Sequence, residues 1–211
     1  MATHLDLEEQ EQLEQLKHFW KQYGNLITWV LILVLGGFAA WNGWNYWQRD
    51  QAGKASVLYD QVDKAAQAGD ADRVQRAFDD LKARYPGTTY AGQAGLLAAK
   101  TLAAKSRPEA AREALAWVSE KASETEYRAV ARLRLAALRL DEKAYDEALK
   151  LLATDIPKEF EALAADRRGD IFLAQDKKAE ALAEYQKAYK GLPATVEYGR
   201  LVEAKLLALG A

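Results

Sequence analysis

Residues 169–193 read GDIFLAQDKKAEALAEYQKAYKGLP and carry the clearest structural signal in the chain. Alanine, leucine, glutamate and lysine dominate this stretch, and these residue types favour helix. Small and aromatic residues recur in it at fixed spacings, at Gly169, Phe172, Ala181, Tyr185, Ala188 and Pro193. The small residues allow two helices to approach closely, the aromatic rings fill the gap between neighbouring hairpins, and the proline ends the second helix. The stretch therefore predicts a helical hairpin.

This spacing resembles the tetratricopeptide pattern of about 34 residues, and weaker copies of it occur upstream. Phe78, Leu81 and Pro86 repeat the spacing of the last aromatic residue, alanine and proline of the hairpin. We predict repeat units near residues 55–88, 92–126, 129–160 and 162–194, followed by a closing helix near 195–208. The joining turns are expected at prolines and at short polar segments, and the helices at about 12–18 residues. A plain helical bundle is the alternative to this tetratricopeptide-like α-α hairpin solenoid.

The apolar run LITWVLILVLGGFAAW at residues 26–41 predicts a membrane span. No charged residue lies between Lys21 and Arg49, and a helix of this length matches a hydrocarbon core of about 30 Å. Aromatic residues flank the run on both sides, as is typical of the headgroup boundary. A buried core helix is disfavoured, because such a helix rarely lacks charge over this length and would not need flanking aromatic residues. A cleaved signal peptide is disfavoured, because the start of the chain is acidic and no small-residue cleavage site follows the run. The fold class is therefore all-α, with a single N-terminal transmembrane helix before the solenoid.

We predict a short amphipathic segment at residues 1–23, the transmembrane helix at 24–47 and the repeat domain at 48–211. Counting positive charges on the two sides of the span gives a tie, so the charges leave its orientation open. Gly36, Ala40 and Gly43 are small residues at helical spacing, and they suggest a close contact with another membrane helix.

The composition excludes several classes of function. The chain has 211 residues, a formal net charge of −2, no cysteine and two histidines, His4 and His18. Thiolate chemistry, a histidine-based triad and a histidine-rich metal site in the folded domain are thereby excluded. The near-neutral charge argues against nucleic-acid binding, and no phosphate-binding or dinucleotide-binding glycine motif is present. We expect no enzyme activity, no cofactor, no metal and no small-molecule substrate.

Stacked helical hairpins present a groove lined by the first helix of each unit, and such grooves bind other proteins. The repeat pattern predicts groove-facing positions for the following ten residues. They are Tyr59, Asp63, Gln93, Leu96, Lys100, Val130, Leu133, Asp166, Asp170 and Leu173. The alternative interpretation is that about half of these side chains pack in the core between helices and do not line a groove. Asp166 and Asp170 are interpreted as part of a solvated face rather than as catalytic carboxylates.

The whole chain resembles the ancillary SecYEG translocon subunit family. The similarity lies in EEQEQLEQLK at residues 8–17, WNYW at 44–47 and YPGTTYA at 85–91. The resemblance implies an N-terminus in the bacterial cytoplasm and a repeat domain in the periplasm, which resolves the orientation. It also implies association with the SecYEG translocon and with a membrane-anchored periplasmic chaperone of the prolyl-isomerase class. The family has no catalytic residues to transfer.

The resulting hypothesis is a non-enzymatic inner-membrane adaptor that places a docking domain beside the channel exit. It would bind the chaperone or unfolded client chains as they emerge, with the lipid bilayer around its anchor. Two alternatives use the same fold. One is an envelope assembly scaffold for division or outer-membrane machinery, and the other is a docking platform whose repeats lie in the cytoplasm.

Overall fold

Strong helix formers fill the chain, and the structure is accordingly helical. A computed structural model describes residues 7–153, 155–192 and 197–210, and no strand occurs among them. The helices are α1 (Leu7–Gln67), α2 (Ala71–Arg84), α3 (Thr89–Ala104), α4 (Pro108–Lys121), α5 (Thr125–Asp141), α6 (Tyr145–Leu151), α7 (Glu161–Ala174), α8 (Lys178–Gly191) and α9 (Tyr198–Ala208), with a single 3-10 turn at Lys158–Phe160. The predicted all-α class is confirmed.

The chain divides into two units, Met1–Asp50 and Gln51–Ala211. The first unit is formed by α1 up to Asp50, and its apolar side chains are exposed. Within the described residues, α1 is the helix that is long and apolar enough to cross a membrane. The two aromatic clusters beside the apolar run form ring pairs along the helix, with centroid distances of 5.1 Å for Phe19–Tyr23 and 5.2 Å for Trp44–Trp47.

Two polar side chains of this segment are satisfied by the backbone of their own helix. Thr28 Oγ1 donates a hydrogen bond of 2.7 Å to the Gly24 carbonyl, and Asn42 Nδ2 donates one of 2.9 Å to the Phe38 carbonyl. A bilayer offers no water to pair such groups, so bonds within the helix lower the cost of placing them near hydrocarbon.

The four hairpins of the second unit are closed by the same backbone turn. The residue two positions before each second helix has a positive φ: Gly69 (66°), Ser106 (58°), Lys143 (60°) and Asp176 (62°). The next amide bonds a carbonyl five residues back, for example Ala144 N to Arg139 O at 2.8 Å and Lys177 N to Phe172 O at 2.9 Å. This is the Schellman arrangement, which satisfies the free carbonyls at the end of a helix. The turn signals in the sequence therefore mark a Schellman turn that recurs in each hairpin.

Three clusters of buried side chains run along the second unit. The first joins the end of α1 with α2 to α5 around Val62, Phe78 and Val118. The second joins α5, α6 and α7 around Ala148 and Ile171. The third joins α7, α8 and α9 and is centred on Tyr185, Ala188 and Val202. Each helix thus packs mainly on its neighbours in the chain, as expected for a solenoid.

Glycine permits the closest helix crossings within the hairpins. A Cβ at Gly169 would lie 2.5 Å from the Tyr185 ring, and one at Gly95 would lie 2.3 Å from Val118 and 3.1 Å from Phe78. Tyr185 is 1 % exposed. The predicted close approach at Gly169 is confirmed, whereas the Tyr185 ring packs within its own hairpin and against α9 rather than between two hairpins.

Several boundaries differ from the sequence prediction. Helices α3 and α5 begin at Thr89 and Thr125, before the predicted unit starts at 92 and 129. The expected length of about 12–18 residues is wrong for α6, which has 7 residues. At the end of α6, the carbonyl of Leu152 accepts a hydrogen bond of 3.0 Å from Arg168 Nη1. This side chain occupies the position that the amide of a further helical turn would take. The expectations for residues 1–6 and for Pro193 fall outside the described residues.

Candidate functional site

The side chains predicted to line a partner groove lie on the first helices of the four hairpins. Tyr59 and Asp63 lie near the end of α1, Gln93, Leu96 and Lys100 on α3, Val130 and Leu133 on α5, and Asp166, Asp170 and Leu173 on α7. The structure brings some of them together and leaves others apart. Their assignment to a groove stays a prediction.

One group is a row of tyrosines across α1, α3 and α5. The rings of Tyr59 and Tyr90 lie 5.7 Å apart between centroids and are inclined by 47°. One turn along α3, Gln93 Nε2 donates a hydrogen bond of 2.7 Å to the Tyr127 hydroxyl. All four side chains are half-buried. We call Tyr59, Tyr90, Gln93 and Tyr127 the tyrosine face. Tyr90 and Tyr127 are additions to the predicted set.

The surroundings of Tyr59 are apolar on one side and acidic on the other. Burial raises the pKa of its hydroxyl above the ordinary value of 10.0, and the charges of Asp63, Tyr127 and Asp60 raise it further. Asp63 accepts a hydrogen bond of 2.7 Å from Gln67 Nε2 one turn along the helix. The tyrosine face thus has an acidic border on α1.

The remaining predicted residues on α3 and α5 divide between core and solvent. Leu96 packs against the first core cluster and Leu133 against the second, so these two contribute to contacts between helices. Val130 is half-buried, and Lys100 is exposed. Leu173 on α7 is 39 % exposed. The structure does not gather these five side chains into one patch.

Asp166 and Asp170 meet a lysine from the closing helix. Lys205 Nζ lies 2.8 Å from Asp166 Oδ1 and 2.6 Å from Asp170 Oδ1. Asp166 is 1 % exposed. The interpretation of this pair as a solvated face is therefore wrong, because α9 covers it and supplies the counter-charge.

Two tyrosine hydroxyls complete this ionic cluster. Tyr198 donates a hydrogen bond of 2.6 Å to Asp166 Oδ2, and Tyr185 donates one of 2.8 Å to Asp170 Oδ1. Burial, followed by these hydrogen bonds, raises the pKa of both hydroxyls well above the ordinary 10.0. Neutral phenols that donate to carboxylates stabilise the charged acids without adding charge. The cluster joins α7, α8 and α9.

Arg168 links three segments and was absent from the sequence prediction. Its guanidinium donates to Glu184 Oε2 at 2.9 Å, to Glu161 Oε1 at 2.6 Å and to the Leu152 carbonyl at 3.0 Å. Burial raises the pKa of Glu184, but hydrogen bonds from Lys187 and Arg168 outweigh it and hold the pKa below the ordinary value. Arg168 lies in a helix with several acidic and basic residues. No sequence pattern distinguishes a bridging arginine there from a solvent-exposed one.

The predicted membrane contact lies on an open side of α1. A Cβ at Gly36 or Gly43 would meet no atom within 4 Å, and Ala40 is exposed. Exposure of small residues is compatible with close approach of another helix. The contact itself stays a prediction.

The described residues offer no metal-binding constellation, since no group of three or more histidine or acidic side chains is placed to hold an ion. The acidic side chains described above interact with lysine, arginine, glutamine and tyrosine side chains. These interactions are typical of contacts that hold helices together.

Comparison with known proteins agrees with this architecture. Residues 17–211 match the family model of the tetratricopeptide repeat-like domain. The chain is 33 % identical over 210 residues to the ancillary SecYEG translocon subunit of Neisseria gonorrhoeae, covering 98 % of both chains. It is 30 % identical over 182 residues to the protein of the same name from Escherichia coli, covering 86 % of this chain and 87 % of that one.

No solved structure matches the chain significantly. The similarity to the relatives extends over the apolar part of α1 as well as the repeats, because it covers nearly the full length. One candidate membrane helix near the N-terminus also fits an inner-membrane location. The chain belongs to the ancillary SecYEG translocon subunit family, with a tetratricopeptide repeat-like domain.

Proposed function

We propose that this protein is a non-enzymatic adaptor of the inner membrane, anchored by α1 beside the SecYEG translocon. The observation that carries the proposal is the full-length similarity to a relative named as an ancillary subunit of that translocon. A relative that matched only the repeats would support a docking domain alone. Similarity over 98 % of both chains supports the same combination of anchor and repeats.

In this proposal residues 24–47 span the membrane, residues 1–23 lie in the cytoplasm and residues 48–211 lie in the periplasm. The repeat domain then receives partners on the side where exported chains emerge. Those partners are a periplasmic chaperone of the prolyl-isomerase class and unfolded clients. A fixed anchor raises the effective concentration of the docking surface near the channel without adding affinity to any single contact.

The role of the anchor is tested by affinity capture of the full-length protein from detergent-solubilised membranes. We expect SecYEG subunits to be captured with the intact chain. A variant whose residues 26–41 are replaced by an unrelated leucine-alanine span of the same length is the matched comparison. It keeps the repeats tethered but lacks Gly36 and Ala40, two of the three small residues of the predicted contact. Loss of the channel with this variant supports a specific lateral contact, whereas capture of no channel subunit by the intact chain contradicts the proposal.

The orientation is tested separately by protease accessibility. Trypsin added to spheroplasts is expected to cut the repeat domain at exposed sites such as Arg134 and Lys177. The cytoplasmic segment is expected to stay intact until the membrane is opened. Protection of the repeat domain in intact spheroplasts would place the repeats in the cytoplasm and overturn this part of the proposal.

A further inference from the structure

The closing helix gives one example of a cation bound by carboxylates and a tyrosine ring of the repeat domain. Lys205 Nζ is held by Asp166 and Asp170 at 2.8 and 2.6 Å. The same ammonium lies 5.2 Å from the centroid of the Tyr185 ring. Opposite charge and an aromatic ring together favour a cation at such a position. A lysine of α9 is thus bound by the hairpin formed by α7 and α8.

The tyrosine face presents similar groups on a surface that stays partly open to solvent. Tyr59 and Tyr90 form a ring pair at 5.7 Å, and Tyr127 is joined to α3 through Gln93. Each of these residues is half-buried and so keeps part of its surface in contact with solvent. Phenol rings with this degree of exposure offer large contact area at low entropic cost, which is a property of binding surfaces.

The charge beside the tyrosine face is negative. Asp63 lies one helical turn after Tyr59, and Asp60 is its immediate neighbour on α1. Both carboxylates act electrostatically on the Tyr59 hydroxyl. Among the described residues no salt bridge joins Asp60 or Asp63 to a lysine or arginine, and the hydrogen bond to Asp63 comes from the neutral amide of Gln67. The face therefore lacks the counter-charge that Lys205 supplies to Asp166.

We propose that the tyrosine face, together with Asp63, docks a polypeptide segment of a partner protein through a lysine or arginine side chain of that segment. The cation would lie against the Tyr59 and Tyr90 rings with its charge toward Asp63. An acidic segment would meet like charge, and a purely apolar segment would leave the carboxylate without a partner. This inference rests on the proposed function and names the chemistry of the partner segment.

The test measures binding of defined peptides to the full-length protein in detergent. Four fluorescein-labelled peptides are identical except for a central Lys, Arg, Gln or Glu between alanine and leucine residues. Fluorescence anisotropy at low salt gives their affinities. We expect the Lys and Arg peptides to bind about tenfold more tightly than the Gln peptide, from one ion pair and one ring contact. The Glu peptide is expected to bind most weakly.

Variants locate the binding on the tyrosine face. Asp63→Asn preserves the shape of the side chain and removes its charge, so it is expected to reduce the preference for the Lys peptide over the Gln peptide. Tyr59→Leu with Asp63→Asn removes both features and is expected to bring the Lys peptide to the affinity of the Gln peptide. The matched control is Tyr189→Leu with Asp146→Asn, an exposed tyrosine and an exposed aspartate elsewhere in the domain. The control is expected to keep the preference for a cation. Circular dichroism verifies that every variant retains its helix content.

Three results would overturn this inference: equal affinities for the Lys and Gln peptides, no binding at about 1 mM peptide, or an unchanged preference in Asp63→Asn. Capture of the SecYEG channel is measured on the same intact protein. Channel capture combined with charge-independent peptide binding removes only the tyrosine-face inference. Failure of channel capture by the intact chain counts against the proposed function instead.

Discussion

Lys205 Nζ lies 2.8 Å from Asp166 Oδ1, and Asp166 is 1 % exposed. The ammonium is thus the counter-charge of a carboxylate that has almost no contact with solvent. This pair connects α9 to α7 across 39 residues of sequence. It explains how a terminal helix of 11 residues stays on the end of a repeat array, because a helix this short has little stability of its own.

We expect Lys205→Met to release the closing helix. The substitution leaves Asp166 buried without its charge partner, which costs about 3 kcal/mol or more. Hydrogen exchange of the α9 amides should therefore accelerate, with a smaller effect on α7 and α8. Lys190→Met, at an exposed lysine of α8, is the control and should leave α9 protected. Unchanged exchange in α9 after Lys205→Met would show that the ionic cluster does not hold the helix.

The tyrosines of this cluster should resist ionisation at high pH. The pKa values of Tyr185 and Tyr198 are raised above 10.0, first by burial and then by hydrogen bonds to Asp170 and Asp166. The neutral phenols therefore contribute stability that is fully present below pH 10.0 and decreases as pH rises above it. Absorbance near 295 nm should show two tyrosines that ionise later than the others. In the double variant Tyr185→Phe and Tyr198→Phe this late component should be absent.

Arg168→Lys should destabilise the last hairpin, although it preserves the charge. Lysine cannot donate at once to Glu184, Glu161 and the Leu152 carbonyl in the geometry that the guanidinium provides. Loss of two charge-assisted bonds costs about 2 kcal/mol, read from urea unfolding of the detergent-solubilised protein. Arg200→Lys, at an exposed arginine of α9, should change the unfolding curve little. Equal curves for both variants would contradict the bridging role of Arg168.

The shared hairpin turn predicts that glycine is favoured at two equivalent positions. Lys143 has φ of 60° and Gly69 has φ of 66°. Lys143→Gly removes left-handed strain from a residue with a Cβ and should stabilise the protein by about 0.5 kcal/mol, whereas Gly69→Ala should destabilise it by about 1 kcal/mol. Thermal unfolding followed by circular dichroism measures both. A decrease in stability for Lys143→Gly would contradict the equivalence of the two turns.

The sequence was sufficient for the fold because its signals were local. Gly169 and Tyr185 are close in sequence, and their contact is part of the repeat pattern itself. The turn at Lys143 follows from the polar break at residues 141–143 between two predicted helices. The apolar run at 26–41 needed only its composition. Local patterns of this kind can be read without knowledge of the neighbours in space.

The candidate site was less accessible to sequence reasoning because its contacts join distant residues. The pairing of Gln93 with Tyr127 spans 34 residues, and that of Lys205 with Asp166 spans 39. The sequence alone favours solvent exposure of Asp166, because an aspartate on a charged helix is usually exposed. Only the position of α9 shows that this aspartate is buried and paired.

Photo-crosslinking in intact cells is the most direct test of an anchor at the translocon. A photoreactive residue is placed at Gly36 and at Leu33 of the full-length chain, in the apolar part of α1. The account predicts adducts that contain a SecYEG subunit at one or both positions, and their loss when residues 26–41 are replaced by an unrelated span. Membrane-inserted protein that gives adducts with no channel subunit at either position would contradict it.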